Sequence, residues 1–382
     1  LDRPSLVICN GYKDETYVQM ASLAVRLGHE VVVVIEKPSE IETIGRVVQR
    51  EGLGAVPWLG LRARLASRGE GRWKSSAGDR AKFGLSAAQL VEAVAWLDEL
   101  GLKSRLRLLH FHIGSQITAI RPWKIALREG ARLYTELARM GCPMNLFDAG
   151  GGLAVDYDGS QTNVASSRNY TEQEYANDVV SQLHEACEKA GLPSPDIITE
   201  TGRALSAQHS MMVVEVTGTS RLSVDGPLPE PEADEHELVA GLRANLVALT
   251  AENLVETFHA AQGLREEMLL RFGLGLVDLP TRATCEQLVY ATLDRVAARA
   301  QELDPVPEEL AALPVDLADT YFCNFSVFQS APDSWAIRQV FPVMPIHRLH
   351  EEPTARAVLG DLTCDSDGRI DRFPDVRGVK RA

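Results

Sequence analysis

Between residues 6 and 200 the chain repeats one unit of pattern without repeating its residues: a short apolar run, a polar loop, an amphipathic stretch, then a glycine. The apolar runs are residues 6–9, 31–35, 56–61, 106–113, 145–147 and 197–199, rich in Val, Ile and Leu. Near-continuous runs of this kind predict parallel strands covered on both faces. The stretches between them carry helical spacing and end near Gly28, Gly52, Gly101, Gly141 and Gly191, glycine being the residue that most easily takes the left-handed position after a helix. Thr171 and Glu174 have capping-box spacing for the last of these helices. The alternation predicts a parallel α/β sheet. Six strands fit a doubly wound sheet or a (β/α)8 barrel with two units missing, and pattern alone leaves both open.

After Arg203, residues 211–217 read as a further strand, and residues 226–235 (GPLPEPEADE) form a Pro-rich acidic linker. Beyond it Leu238, Leu242, Leu246 and Leu249 recur at helical spacing, as do Leu288, Val296 and Ala300 after a break at 273–280. Such stripes are most simply packing faces of a small helical module. From Tyr321 the period changes to two, with Tyr321, Cys323, Phe325 and Val327 on one face of a strand, and further strands are expected at 340–344 and 357–362. The predicted organisation is a barrel over residues 1–225, a linker and helical insertion over 226–315, and a β-rich domain over 316–382.

Composition narrows the function classes. The 382 residues are 45% hydrophobic and 24% charged, a globular balance rather than a disordered one. Thirty-nine basic against 53 acidic residues give a net charge of −14, and no basic stripe gathers the cations, so nucleic acid is not an expected partner. No apolar run approaches the length of a bilayer span, so no membrane is expected. Six scattered cysteines without a CxxC pair resemble reduced thiols, which predicts a cytoplasmic protein.

Several strand ends carry candidate chemistry. Asp148-Ala149-Gly150-Gly151-Gly152 follows a strand directly, where three glycines can leave backbone N–H groups free to surround an anion such as a phosphate; a tight turn is the alternative. The run lacks GxGxxG spacing, which argues against a dinucleotide site. Glu200-Thr201-Gly202-Arg203 puts an acid, a glycine and a guanidinium at the next strand end, although Arg203 could equally bridge a surface acid. His110 and His112 lie two apart and so share one strand face, with Ser115 following through Gly114; a pair of hydrogen-bonded core histidines is the other reading. Arg62 and Arg64 share a face at another strand end, and Cys364-Asp365-Ser366-Asp367-Gly368 sets a thiol beside acids in a turn.

Taken in order, these pieces resemble the fold-type III pyridoxal-phosphate decarboxylases, and most closely the biosynthetic arginine decarboxylases. The stretches that carry the resemblance are ICNGYKD (8–14), LHFHIGSQ (109–116), FDAGGGLAVDY (147–157), ITETGRA (198–204), NFSVFQSAPDSW (324–335) and TCDSDG (363–368). The resemblance implies a (β/α)8 TIM-type barrel, here incomplete with about six strands, a helical insertion, a partial C-terminal β-domain, and an active site shared across a homodimer. It implies that His112 stacks on the pyridine ring of pyridoxal 5'-phosphate, that Glu200 faces the ring nitrogen, that Ser115, Gly150, Gly151, Gly152, Gly202 and Arg203 hold the phosphate, and that Arg64 supports the ring side. Cys364 resembles the residue that helps direct protonation after carbon dioxide leaves, Asp365 is implied to face the substrate there, and Asp333 is the implied guanidinium contact. The implied reaction is decarboxylation of L-arginine to agmatine for polyamine synthesis, and relatives are described with magnesium, for which the motifs show no octahedral oxygen site.

In this family the Schiff-base lysine sits in a segment before the residues present here; of eight lysines, only Lys37 stands at a comparable strand end. A first residue that is Leu1, six strands where eight are expected, and a short β-domain predict an internal stretch of a longer protein, one that does not turn over by itself. Ornithine, lysine or meso-diaminopimelate remain alternative substrates, and a non-catalytic homologue with a regulatory role is the reading from a different class.

Overall fold

The computed structural model describes residues 4–51, 56–66, 82–222, 226–353, 355–375 and 378–381. They fall into two compact units, Leu1–Met211 with Val376–Gly378, and Met212–Asp375 with Val379–Ala382.

The first unit alternates β1 (Leu6–Cys9), α1 (Glu15–Arg26), β2 (Glu30–Ile35), α2 (Ser39–Glu51), β3 (Trp58–Arg62), α3 (Ala87–Glu99), β4 (Leu106–His110), α4 (Ile120–Arg139), β5 (Leu146–Asp148), α5 (Glu172–Ala190), β6 (Asp196–Ile198) and the short α6 (Gly202–Ser206). The six strands lie side by side in chain order, each parallel to the next. A doubly wound sheet reverses its order at a switch point; an unreversed run of right-handed crossovers puts every helix on one face and is a segment of a (β/α) barrel. Strand order therefore decides between the two architectures that periodicity left open.

Alternation along the strands separates two cores. Leu59, Leu61, Leu109, Phe111 and Phe147 join Leu97, Trp123 and Tyr134 in one large buried cluster with the helices. Ile8, Val32, Val34, Trp58, Leu108, Leu146 and Ile198 form a separate cluster on the opposite, inner face. Because successive side chains in a strand point to opposite faces, the residues two positions beyond this inner layer, Asn10, Glu36, His110, Asp148 and Glu200, end the strands on that same face with polar groups. Local signals hold the helices in place: Thr171 and Glu174 make the expected capping box, and α5 ends at Gly191 with φ 67°.

The second unit contains a helical module of α7 (Glu237–Val247), α8 (Leu254–Gly273) and α9 (Leu279–Ala300), packed around Leu242, Met268, Leu288 and Val296. It also contains a four-stranded sheet in the order β10-β9-β8-β7, built from β7 (Val216–Ser220), β8 (Asp319–Cys323), β9 (Ala357–Gly360) and β10 (Arg369–Ile370). The period-two face expected to run on to Val327 stops at Cys323. Phe325 N–H turns back to Cys323 O at 3.0 Å, and Val327 opens a short helix, Val327–Ser330, with its N–H bound to Asp361 Oδ2 at 2.8 Å. The strand expected at 340–344 does not form: these residues carry no ladder, and Val340 is buried as part of an irregular segment. The strand expected from 211 begins only at Val216, because its ladder starts where Val216 meets Cys323.

Candidate functional site

The polar ends of the inner face converge at the C-terminal rim of the first unit, where parallel α/β proteins build their sites. On the β1 to β3 side, Glu36 accepts from the backbone N–H of Gly11 at 2.7 Å and from Arg62 Nη1 at 3.0 Å to each carboxylate oxygen. Beneath it Glu40 accepts from the backbone N–H groups of Lys13 at 2.6 Å, Glu36 at 2.6 Å and Lys37 at 3.1 Å, so its side chain satisfies donors at the start of α2 and in the β1–α1 loop together. Lys13 pairs with Glu40 at 3.3 Å and also donates to the carbonyls of Gly11 and Val34; both side chains are almost fully buried. Burial holds the Lys13 ammonium below its ordinary pKa, and Glu40 opposes that shift.

On the β4 to β6 side three titratable groups meet. His110 Nδ1 lies 2.9 Å from Asp148 Oδ2, with side-chain exposures of 1% and 0%. The contact is close but not aligned as a hydrogen bond, and neither of those two atoms has a hydrogen-bond partner. Asp148 Oδ1 accepts from Gly150 N–H at 2.8 Å. A ligand atom of Glu200 lies within 4.8 Å of those of His110 and Asp148, and Asn10 Nδ2 donates to Glu200 Oε1. Burial first, then the Asp148 carboxylate, push the Glu200 carboxyl above its ordinary range, while His110 and Asn10 pull it down.

The glycine run interlocks with this cluster. A Cβ on Gly150, at φ 68°, would stand 2.3 Å from Phe111 O, and one on Gly151 would stand 2.7 Å from Glu200 O. Gly151 N–H donates to His112 Nδ1 at 3.2 Å. An imidazole that accepts at Nδ1 is neutral, which agrees with a His112 pKa pushed down to about 4, by burial first and then by Arg62 and His110. The run therefore serves the close approach of the β4 and β6 ends whatever else it binds. The loop carrying Ser115 is tied to it through Ile117 N–H and Gly152 O at 3.0 Å.

The remaining expected residues stand as follows. Gly202 opens α6, and half-buried Arg203 donates from Nη1 to Tyr157 Oη at 3.1 Å. Arg64 Nη2 donates to Gly84 O at 2.7 Å. Lys37 Nζ lies 4.8 Å above the Tyr12 ring. In the second unit, exposed Cys364 sits in a turn whose base is Asp361: Asp361 Oδ1 accepts from Thr363 N–H at 2.8 Å and Asp365 Oδ1 from Asp367 N–H at 3.0 Å. Asp333 lies in the short helix Pro332–Ala336, where its carbonyl accepts from Gln339 N–H at 2.9 Å.

Sequence reading passed over Asn10, Glu36, Glu40 and Lys13 as chemistry-bearing residues. A signal existed for Asn10 and Glu36, since each stands two positions past an inner-face residue, Ile8 and Val34, and inherits its direction. No comparable signal marked Glu40, whose partners span three segments.

Among the described residues, His110, Asp148 and Glu200 are the group whose ligand atoms converge enough to hold a metal ion. Its imidazole and its few oxygens do not fit magnesium, which takes near-octahedral oxygen ligands. No helix of the described residues is long and apolar enough to cross a membrane.

Comparison with known proteins places this geometry. Residues 2–207 match the family described as pyridoxal-dependent decarboxylase, pyridoxal binding domain, and residues 232–314 match the arginine decarboxylase helical bundle domain. The chain is 51% identical over 376 residues to the biosynthetic arginine decarboxylase of Gloeobacter violaceus, covering 98% of this chain and 58% of that protein. It is 46% identical to the corresponding protein of Bacteroides thetaiotaomicron, covering 99% of this chain and 60% of that one. The crystal structure of the biosynthetic arginine decarboxylase of Campylobacter jejuni superposes with a TM-score of 0.76 at 34% identity, over 96% of this chain and 58% of that one. The chain thus spans somewhat under two thirds of the length of these relatives.

Proposed function

Because the chain belongs to the pyridoxal-dependent decarboxylases, we propose that the protein removes the carboxylate of L-arginine as carbon dioxide, yielding agmatine for polyamine synthesis. The observation that carries this reading is a similarity to arginine decarboxylases that runs through both units and includes their helical bundle domain.

The side chains of the first unit fit pyridoxal 5'-phosphate. When bound, the cofactor supplies a protonated pyridine ring that accepts the electron pair left on the α-carbon as carbon dioxide departs. Glu200 holds the proton at the ring nitrogen, where a carboxylate favours the cationic ring. His112, held by Gly151 and neutral, would stack on the pyridine ring without adding a competing positive charge. Ser115, the backbone of Gly150, Gly151 and Gly152, Gly202 and Arg203 receive the phosphate, with Tyr157 holding the Arg203 guanidinium in place. Arg64 supports the ring side of the pocket. Asp333 contacts the substrate guanidinium, for which paired carboxylate oxygens have the matching fork geometry, and Asp365 faces the substrate. Cys364, contributed across a homodimer interface, would help direct protonation at the α-carbon. Six cysteines without a disulfide support a reducing, cytoplasmic setting.

The test is release of labelled carbon dioxide from arginine, ornithine, lysine and meso-diaminopimelate by the full-length protein. Arginine is expected to dominate. Preference for another of the four overturns the substrate, and silence on all four with cofactor bound overturns the activity.

A further inference from the structure

Two of the loops proposed to receive the phosphate come from different strands: Ser115 follows β4, and the glycine run 150–152 follows β5. The β4–β5 register ends at His110 and Asp148. The backbones pair again at the bridge between Ile117 and Leu153, with Ile117 N–H on Gly152 O at 3.0 Å. Two buried side chains, Gln116 and Tyr170, span the same gap. Gln116 Oε1 accepts from Val155 N–H at 3.0 Å and its Nε2 donates to Val155 O at 2.8 Å, so the amide serves Val155 as a neighbouring strand's peptide would. Tyr170 Oη donates to Ile117 O at 2.7 Å and accepts from Ala154 N–H at 3.2 Å. Trp123 Nε1, at 3.2 Å, ties the same oxygen to the core beneath α4. Gln116 makes its bonds from φ 51°, a left-handed conformation that a residue with a Cβ rarely adopts. Such a conformation persists where its surroundings over-determine it, which is typical of preorganised sites.

We propose that Gln116 and Tyr170 are positioning residues that clasp the Ser115 loop to the glycine loop and hold the phosphate seat ready for its ligand. The proposal rests on the reading of those loops as the phosphate seat. Each side chain acts through the backbone it holds. Gln116 directly follows Ser115, and Val155 stands between Gly152 and Tyr157, whose phenol accepts from Arg203. The clasp therefore reaches Ser115, Gly152 and, through Tyr157, Arg203. Apolar packing would bring the two loops together without fixing their register, whereas directional bonds to Ile117, Ala154 and both backbone groups of Val155 fix it. A seat whose donors are set beforehand binds more tightly than one that must be ordered on binding.

The experiment measures equilibrium binding of pyridoxal 5'-phosphate, and of pyridoxal, which lacks only the phosphate, to the cofactor-free full-length protein and to its variants Q116M and Y170F. Q116M keeps the length of the side chain and Y170F keeps the ring, while each removes its bonds across the loops. Each variant should weaken binding of the phosphorylated ligand by about tenfold and leave that of pyridoxal within about twofold. General damage would weaken both ligands alike, so their ratio isolates the seat. Backbone hydrogen exchange over residues 152–157, read by mass spectrometry on the same proteins, should quicken in both variants. The two substitutions act from opposite loops, so either keeps the test decisive if the other folds poorly. A wild type that prefers the phosphorylated ligand, with variants that keep that preference in full, overturns the clasp and leaves the phosphate reading standing. Exchange that stays as slow as in the wild type overturns the clasp as well. A wild type that binds both ligands equally overturns the phosphate reading itself.

Discussion

The backbone N–H of Gly151 donates to Nδ1 of His112 across 3.2 Å, so a glycine on the β5 side holds an imidazole beyond the end of β4 by its accepting nitrogen. His112 is neutral down to a pKa of about 4, whereas an ordinary histidine protonates near 6.5. Between those values the unfolded chain binds the proton that the folded one refuses. Stability should therefore be full above about pH 6.5 and decline as pH falls toward about 4, below which the folded and unfolded chains both bind the proton. Urea unfolding of the wild type and of H112F over this range measures it; the variant should show the shallower decline.

Arg62 is the second cause of that depressed pKa, after burial. R62M should raise the His112 titration while leaving it below the ordinary value, because the larger cause is untouched. Histidine ring resonances followed by NMR report it directly. A titration that stays near 4 would mean that Arg62, held by Glu36, does not act on His112.

The glycine run should be far less tolerant than glycines of similar backbone conformation elsewhere. Gly28 at φ 91° has open space around its missing Cβ, and Gly150 at φ 68° has a carbonyl oxygen 2.3 Å away. G28A should lose about 1 kcal/mol from the left-handed backbone alone, and G150A more than about 2 kcal/mol because strain and collision add. Denaturant unfolding of the two variants gives the comparison.

Removing one partner of a buried ion pair typically destabilises by about 3–5 kcal/mol. Here the partners are unequal. E40A strips three backbone donors of their acceptor as well as leaving Lys13 bare, whereas K13M leaves Glu40 with those three hydrogen bonds. E40A should be the more damaging in thermal or denaturant unfolding.

Asp361 joins the Cys364 turn to the start of the Val327–Ser330 helix, accepting from Thr363 and from Val327. D361A should lose about 1–3 kcal/mol, the usual result of leaving buried donors without an acceptor. It should also change the rate at which Cys364 is alkylated by iodoacetamide, the five other cysteines being buried.

Much of the first unit could be read from residues alone because its signals are local. Apolar runs marked every strand of the barrel segment to within a few residues, and Thr171 with Glu174 marked a helix start that formed as expected. Strand order was not local: periodicity does not say which strand neighbours which, and only the unbroken β1 to β6 order excluded a doubly wound sheet. In the second unit the apolar residues 340–344 had the composition of a strand and no partner ladder to pair with. At the site, His112 and Glu200 were legible from strand ends, but the role of Glu40 depends on partners many residues away in sequence. Asp148 was visible only as the start of a glycine motif; its place against His110 emerges from the register of β4 with β5.

Along β4 and its continuation, Leu109 and Phe111 pack into the helical core while Leu108 and His110 face inward. From Leu108 to Phe111 the two faces are thus divided by parity, odd positions packing under the helices and even positions facing inward. Point substitution can retune either set with little effect on its neighbour. A one-residue insertion or deletion between Leu108 and His110 would exchange them, driving the imidazole under α4 and presenting Leu109 to the rim. The strand can therefore drift in sequence, but not in length.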